Sequence, residues 1–547
     1  MSGSIVDGAQ ARTSDEASAK DGRIDDWLAA TAMAVIAALC VVYRFLPMTD
    51  LPQHHAMVSI FVHHGDPAYG FGPRFELDVL GRPYATVYLV GALLARVLPL
   101  DPAMRLLVAL CTLAPIAGLY ALLRAAGRPR FWVLAAVPFA FGRMWHWGFL
   151  NFILGVGLLQ LGLACVIAVT VEGRRARHLA LGAVATVLFF THVHAFALLV
   201  MLAPIFAWAW SPDPRLRLAL LRPLLSLGPV LVLCAVFILT TWSHAVGYGH
   251  YRWTPLFDRT MMFHTNLGAG LPDAWPMLFL AGLAGVVVVA FGLAIVTRDG
   301  AEPAMEAPRR RQLLALGIML ALEAGLYFAL PLQTPTANVV YPRQALLAVL
   351  AVPTLLPALR GWARLLMRIG VAGFAALSLL LSQRHFRAFD REAREFLPVL
   401  EAMPQNQRVA SMIFVQTSAT SNPRVSPYVQ FAAYLQAYHG GDVSFSFANH
   451  WNIPVQYRQS YPRHKVAPRI EWHPELLSAT EDLPYYDYLL YRTNRPPKLF
   501  PGLEVVVRSG TWTLARNPAA VPDGAPRPDG APAPAPTPAH PVDEDPP

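Results

Sequence analysis

The chain has 547 residues, of which 55% are hydrophobic and only 14% are charged, and its mean hydropathy is +0.40. This composition is typical of a polytopic membrane protein and not of a soluble enzyme. The net charge of +9 lies mostly in short basic loops between apolar segments, which argues against a nucleic-acid partner. All four cysteines fall inside apolar segments, which argues against a disulfide framework or a zinc finger (Cys40, Cys111, Cys165 and Cys234).

Residues 1–26 are polar and rich in Ser, Ala and Asp, and they predict a disordered cytoplasmic N-terminus. The first apolar run, at 27–46, is long enough to cross most of a hydrocarbon core of about 30 Å. It lacks a small-residue cleavage site, so we expect a retained anchor helix and not a signal peptide.

Twelve apolar segments predict a helical transmembrane domain over residues 27–383 with about 11–13 crossings. They lie near 27–46, 84–99, 103–123, 131–149, 149–171, 178–191, 194–210, 220–241, 275–297, 312–332, 342–359 and 363–382.

Arginine-rich loops orient these segments, because cytoplasmic loops are enriched in Lys and Arg. The loops that begin at Arg124, Arg174, Arg215, Arg309 and Arg360 are expected inside, which places everything after residue 382 outside. Twelve crossings cannot join an inside N-terminus to an outside C-terminus. The sequence therefore predicts that one segment does not cross or that one splits, and the short first half of 84–123 is the main candidate.

The loop between the first two apolar segments, residues 47–83, is rich in ionisable groups. Pro52 favours the start of a short helix, with Asp50 at its positive end. One interpretation is that Asp50 activates an acceptor, with His54 or His55 beside it. The other is that Asp50 is a simple helix cap in a polar interfacial loop.

Polar side chains also interrupt the apolar segments, where they usually face a cavity or a partner. Trp145, His146 and Asn151 form one such group, and His192 and His194 form another. Each is a candidate substrate-binding group, and each fits equally well an interfacial belt of aromatic and histidine residues. The paired histidines are two residues apart and do not share one helix face.

Two further features lie on the predicted outer face. Tyr341 and Arg343 begin a late helix, and the arginine fork suits a lipid phosphate. The stretch 242–273, which contains Tyr251, is long enough to cover a substrate.

Apolar density falls after residue 383, and residues 384–517 predict a small α/β domain outside the membrane. Strands are expected at 408–415 and 487–491, a helix at 428–438, and a hairpin over 503–515. Residues 518–547 are rich in Pro and Ala and predict a disordered tail.

These features resemble the GT-C superfamily of integral-membrane glycosyltransferases, in an uncharacterised bacterial branch. The resemblance rests on Asp50 just after the first helix, on residues 81–84 leading into an apolar segment, on residues 149–152, on the break at 191–194, and on residues 341–343. It covers roughly residues 27–515, and each motif is short.

The resemblance implies a multi-pass protein of the cytoplasmic (inner) membrane, with its N-terminus inside and its C-terminal domain outside. It implies transfer of a sugar from a polyprenyl-phosphate donor to an extracytoplasmic acceptor. Asp50 would then accept the acceptor's proton, and Arg343 with Tyr341 would hold the lipid phosphate. A divalent cation, Mg²⁺ or Mn²⁺, would need Asp50 together with a second acid such as Asp66 or Glu76, because no adjacent acidic pair stands in the loop.

Two other functions fit the same residues. A transporter or flippase of a lipid-linked solute could line its path with these charges, although the sequence shows no inverted repeat. A non-catalytic assembly protein could use the outer domain to bind a partner.

Overall fold

The computed structural model describes residues 3–212, 216–240, 250–268, 270–297 and 306–522. The predicted disordered tail therefore lies almost wholly outside the described residues, as does the start of the predicted covering loop. The N-terminal stretch differs from expectation, because a helix already begins at Gly3.

Helices dominate the described chain. In order they are α1 (Gly3–Val42), α2 (Leu51–His63), α3 (Phe71–Arg74), α4 (Ala85–Ala95), α5 (Leu100–Ala125), α6 (Arg143–Trp147), α7 (Leu150–Glu172), α8 (Arg175–Thr191), α9 (Val193–Trp210), α10 (Leu216–Thr240), α11 (Leu256–Met261), α12 (Ala274–Val296), α13 (Ala307–Ala329), α14 (Pro342–Leu355), α15 (Gly361–Ala393), α16 (Leu397–Ala402) and α17 (Ala432–His439). Eight stretches of the described chain, within α1, α5, α7, α9, α10, α12, α13 and α15–α16, are long and apolar enough to cross a membrane.

Helix α4 is the apolar segment that does not cross. Its 11 residues reach about 16 Å, roughly half of a hydrocarbon core. The end of α1 and the start of α5 also lie side by side, because Arg44 and Asp101 form an ion pair of 3.1 Å. The chain therefore enters and leaves α4 on one side of the bundle.

The segment predicted as a helix over 131–149 is not an α-helix. Residues Arg130–Phe139 form a 3-10 helix with Pro138 inside it, and the short α6 follows. Arg130 pairs with Asp26 near the start of the apolar part of α1 at 2.9 Å, whereas the Trp147 carbonyl accepts from the Asp50 amide beyond its end. This irregular segment thus runs alongside the apolar part of α1 over its whole length. It is buried by protein, as a non-α segment in a membrane must be.

Shorter apolar helices, among them the irregular segment and α14, accompany the eight long ones in the described part. The start of α1 lies at one side of the bundle, where α15 begins, and the C-terminal domain follows the other end of α15. At the first side, Asp21 and Asp25 of α1 bind Arg364 and Arg368 of α15. Helix α15 ends at Ala393, and a 3-10 turn at Arg394–Phe396 links it to α16.

The C-terminal domain contains a five-stranded sheet in the order β3-β2-β5-β7-β6. Its strands are β2 (Arg408–Ile413), β3 (Asp442–Val443), β5 (Tyr488–Arg492), β6 (Glu504–Ser509) and β7 (Trp512–Arg516). Strand β2 is parallel to β3 and β5, and the β6–β7 hairpin adds antiparallel strands at one edge. Because β2 and β5 are buried along their length, they read as apolar runs, and the structure confirms these strands and the hairpin.

The loop region between α1 and α4 is joined to this domain, which sequence reasoning did not predict. Strand β1 (Phe75–Leu77) pairs antiparallel with β4 (Val455–Tyr457). Beside it, the Asp78 amide donates to the Pro454 carbonyl at 2.8 Å, and the Arg458 side chain donates to the Gly72 carbonyl at 2.7 Å. The loop and the domain therefore form one body over one end of the helices.

Candidate functional site

Asp50 lies where the chain turns from α1 into α2. It occupies the position before the first helical residue, yet its side chain makes no capping hydrogen bond. Its backbone is held instead, because the Asp50 amide donates to the Trp147 carbonyl at 3.0 Å and the Thr49 amide donates to the His146 carbonyl at 2.8 Å. Of the two interpretations of Asp50, the simple helix cap is therefore not what the structure shows.

Gly148 lies directly against Asp50. Its φ of +86° is left-handed, and a Cβ at this position would stand 2.9 Å from the Cβ of Asp50. Glycine therefore meets two needs here, conformational and steric. The Gly148 carbonyl also lies 2.8 Å from Nε2 of His54, whose Nδ1 is buried without a partner among the described residues.

A second carboxylate, Glu471 of the C-terminal domain, lies near enough to Asp50 to interact with it electrostatically. Burial raises the pKa of Asp50 to about 8, and the nearby Glu471 acts in the same direction. Glu471 is itself buried, its Oε2 has no partner in the described chain, and burial raises its pKa to about 7. The site thus contains two poorly solvated acids, and each gains or loses its proton near neutral pH.

Histidine near these acids is uncharged. Burial lowers the pKa of His54 to about 4, and the hydrogen bond to Gly148 offsets only part of this. The His54 ring lies 5.6 Å from the ring of Tyr88 on α4. Tyr88 in turn is close enough to Asp50 to interact with it electrostatically. His54 therefore offers a neutral hydrogen-bonding group, not a counter-charge for Asp50.

Arg343, in the first turn of α14, is a cation that contacts the chain segment next to Asp50 at Phe149. Its guanidinium lies 4.9 Å from the ring centre of Phe149, the residue after Gly148. One nitrogen lies 3.2 Å from Nε2 of His192, and another donates to the Asn338 carbonyl at 2.9 Å. Asp50 and Arg343 therefore flank two consecutive residues, Gly148 and Phe149.

The break between α8 and α9 positions the histidines of this group. His192 has extended backbone, and its Nδ1 accepts from the Ala195 amide to cap α9. Nε2 of His194 lies 2.6 Å from the Gln344 amide, next to Arg343. Asn151, at the start of α7, interacts with Tyr88 and places a buried side-chain oxygen in the same region.

Three predicted site residues pack in the interior instead. Trp145 donates to the Thr112 hydroxyl at 2.9 Å and stacks on Phe386. Nδ1 of His146 lies 2.8 Å from the Pro47 carbonyl. His55 contacts its own helix at Leu51 and packs against the Tyr434 ring at 5.0 Å.

Tyr341 and Tyr251 make no hydrogen bond with Asp50 in the described part of the chain. The guanidinium of Arg259 stands 4.4 Å above the ring centre of Tyr341, so this tyrosine packs against a cation of the protein. Tyr251 is exposed. Their proposed roles in substrate binding stay predictions.

The predicted metal set is not assembled. Asp66 is exposed and accepts from the Ala68 amide within its own turn, and Glu76 is exposed on β1. The described part of the chain contains no cluster of three or more His, Cys, Asp or Glu side chains that could hold a metal ion. The donor set therefore does not fit a metal held by protein groups alone.

Sequence reasoning missed Glu471. No motif marks it, and its relation to Asp50 arises only from the docking of a domain more than 400 residues later in the chain. The next residue, Trp472, contacts the segment around Asp50, because its ring lies 6.0 Å from the ring of Trp147. Both tryptophans are half-buried beside Asp50.

Solved structures of ArnT share this architecture. ArnT from Cupriavidus metallidurans in the apo state matches with a TM-score of 0.55 at 13% identity, over 91% of this chain and 98% of that one. ArnT bound to undecaprenyl phosphate matches with a TM-score of 0.52 at 16% identity, over 91% and 99%. The oligosaccharyltransferase of Archaeoglobus fulgidus in the apo form gives 0.40 at 11% identity, over 86% and 70%.

No protein-family model matches the sequence, and no match arises among the curated proteins. The ArnT structures are nevertheless those of a GT-C glycosyltransferase that aligns over nearly its whole length. The chain is therefore a multi-pass membrane protein with a GT-C-like fold, as the sequence predicts.

Proposed function

We propose that this chain is a membrane glycosyltransferase that moves a sugar from a polyprenyl-phosphate-linked donor to an extracytoplasmic acceptor. The observation that carries the proposal is the placement of two groups across Gly148 and Phe149: Asp50, an acid without a cation partner in the described chain, and the cation Arg343. The fold is that of a protein whose structure is known with undecaprenyl phosphate bound, which favours the same class of donor.

The reaction needs a base and a site for the leaving group. Ionised Asp50 takes the proton of the acceptor hydroxyl, and the acceptor oxygen forms a bond to the anomeric carbon of the sugar. The bond between that carbon and the phosphate oxygen breaks, and the electron pair leaves with the polyprenyl phosphate. A positioned base of this kind contributes about 10²–10⁴-fold.

Arg343 stabilises the charge that develops on the departing phosphate. Its planar fork can bind two phosphate oxygens at once, and it stays charged in a partly buried setting. The rings of Phe149 and Phe152 lie 4.9 and 5.9 Å from it and limit its hydration. Positioned charge at a leaving group is often the largest single contribution to catalysis.

Two half-buried tryptophans fit the sugar. Trp147 and Trp472 approach each other beside Asp50, whereas the predicted Trp145 packs in the core. Stacking of a sugar on Trp147 or Trp472 would position it between the acid and Arg343.

The site is proposed to face away from the cytoplasm. Arginine-rich ends of helices lie at the opposite side of the bundle, around Asp21 and Asp25 of α1 and Arg364 and Arg368 of α15. By the distribution of Arg in loops, that side is cytoplasmic. The C-terminal domain then lies outside, on the side of Asp50.

The test uses the purified chain in proteoliposomes with radiolabelled polyprenyl-phosphate sugars, and it measures release of free polyprenyl phosphate. Arg343→Ala is expected to lower this release about 10²-fold or more, since it removes leaving-group charge. Arg343→Lys should recover part of the loss, because a point charge replaces the fork.

The control is Arg82→Gln, which changes an outer-face arginine that is paired with Asp78 on the first loop. It should release polyprenyl phosphate at the wild-type rate. Passage of unchanged donor across the membrane without release would contradict the proposal and indicate a transporter. Full release by Arg343→Ala would also contradict it.

A further inference from the structure

A second arginine-lined cavity lies on the outer side, built from elements that do not include Asp50 or Arg343. This small pocket is open to solvent and is lined by Arg143 of α6, by the loop before α12, and by the C-terminal domain. The other lining residues are Thr265, Gly268, Asp273, Asn422 and Arg424.

Arg143 brings a charge to this cavity that no carboxylate of the described chain balances. Its guanidinium is partly buried, and it donates to the Asn266 amide oxygen at 3.3 Å, a long hydrogen bond. A guanidinium has five N–H donors, so most of its capacity is open. A desolvated cation of this kind gains most from an anion that also satisfies its donors.

The acid in the cavity is already neutralised. Asp273 accepts from Arg424 at 3.0 Å and from the side-chain amide of Asn422 at 2.7 Å. One acid therefore faces two arginines, and the cavity holds an excess of one positive charge. Arg424 is 40% exposed on its side chain, so it can turn from Asp273 toward a ligand.

The cavity is expected to lie at the level of the membrane surface. Asp273 directly precedes α12, one of the helices that are long and apolar enough to cross a membrane. Phosphates of lipid head groups lie at this depth, outside the hydrocarbon core. Arginine forks suit phosphate because they bind its oxygens bidentately.

We propose that Arg143 and Arg424 form a binding site for a phosphate group at the outer membrane surface, separate from the site at Asp50 and Arg343. The group is either the head-group phosphate of an anionic lipid or a free phosphate, and both present the same oxygens to the two arginines. This site stands independently of the proposed glycosyl transfer, since it requires binding and no reaction.

The test uses the full chain in nanodiscs that contain phosphatidylcholine with a small fraction of phosphatidic acid, and native mass spectrometry counts the lipids retained. The wild type is expected to retain phosphatidic acid over phosphatidylcholine by at least about tenfold. Arg143→Gln and the more exposed Arg424→Gln should each abolish the preference. Arg82→Gln, which removes an arginine paired with Asp78 elsewhere on the outer side, should keep it.

A second arm measures thermal unfolding in pure phosphatidylcholine with and without inorganic phosphate. A rise in melting temperature that needs both arginines, without retention of phosphatidic acid, would support the site and assign it to free phosphate. Retention of phosphatidic acid by both Gln variants at the wild-type level would overturn the proposal. So would a wild type that responds to neither form of phosphate.

Discussion

Two acids flank the membrane-spanning part of α1, Asp25 within the helix and Asp50 in the turn before α2, and they differ in what surrounds them. Asp25, 1% exposed, accepts from two arginines of α15, Arg364 and Arg368, each at 2.7 Å. Asp50, just beyond the other end, has no ion pair in the described chain and lies near Glu471, a second acid. The same side chain is thus neutralised at one side of the bundle and left uncompensated at the other.

In the proposed mechanism, this difference separates an acid that holds the fold from an acid that acts as the base. Paired charges offset the cost of burial, and removing one partner leaves the other buried alone. An unpaired acid instead keeps its proton to higher pH, which weakens the folded state slightly but provides a base near neutrality. Mutations at the two ends should therefore have opposite effects on activity and stability.

The largest effect is expected for Asp50→Asn. The change removes the base but keeps the size of the side chain, so transfer should fall by about 10²–10⁴-fold. The melting temperature should stay level or rise, because the amide carries no charge to desolvate. The matched control is Asp66→Asn in the same loop, where the acid is exposed and should be replaceable without loss of rate.

Arg368→Gln should lower stability and leave activity unchanged, the reverse of Asp50→Asn. It leaves the buried Asp25 with one cation fewer, and loss of a partner from a buried ion pair costs about 3–5 kcal/mol. Denaturant unfolding in mild detergent would give this loss. Activity per folded molecule should stay near that of the wild type, and a variant as stable as the wild type would refute the structural role of the pair.

Gly148→Ala tests how closely Asp50 is positioned. The left-handed backbone alone costs about 1–2 kcal/mol with a side chain, and the new Cβ would press on Asp50 at 2.9 Å. Displacement of a catalytic group by about 1 Å can lower the rate up to about 10²-fold. Gly127→Ala is the control, because Gly127 has a φ of +66° but nothing within 4 Å, so it should lose stability and keep activity.

The pH dependence of the transfer rate should show the smallest effect, and it is the most specific test of the interaction between Asp50 and Glu471. Transfer should rise with pH as Asp50, with its pKa of about 8, loses its proton. Glu471→Gln removes a neighbouring negative charge, so the midpoint of the profile should move to lower pH. An unchanged midpoint would show that the two acids do not interact.

Stability should have the opposite pH dependence. Both acids bind protons more tightly when folded, so their contribution to stability is complete below their unfolded pKa values near 4 and falls as pH rises toward 8. Denaturant titrations of the wild type and Asp50→Asn across this range would measure the difference. It should shrink at acidic pH, where both forms are neutral.

Local sequence patterns are sufficient to predict much of the fold. Short apolar segments locate the helices and most of the sheet. Asp50 is predicted as a site residue because an acid beside a membrane helix is unusual, and its role stays a prediction. The irregular crossing at 130–147 is missed because its apolar composition matches that of a helix. Pairing of β1 with β4 and the approach of Glu471 to Asp50 are missed because each arises from contacts between distant parts of the chain.

The most direct measurement compares Asp25→Asn and Asp50→Asn, prepared together in proteoliposomes, for release of polyprenyl phosphate from labelled donors and for melting temperature. We expect Asp50→Asn to lose release and keep its melting temperature, and Asp25→Asn to lose melting temperature and keep release per folded molecule. Wild-type release by Asp50→Asn, with the wild type itself active, would contradict the role of Asp50 as the base.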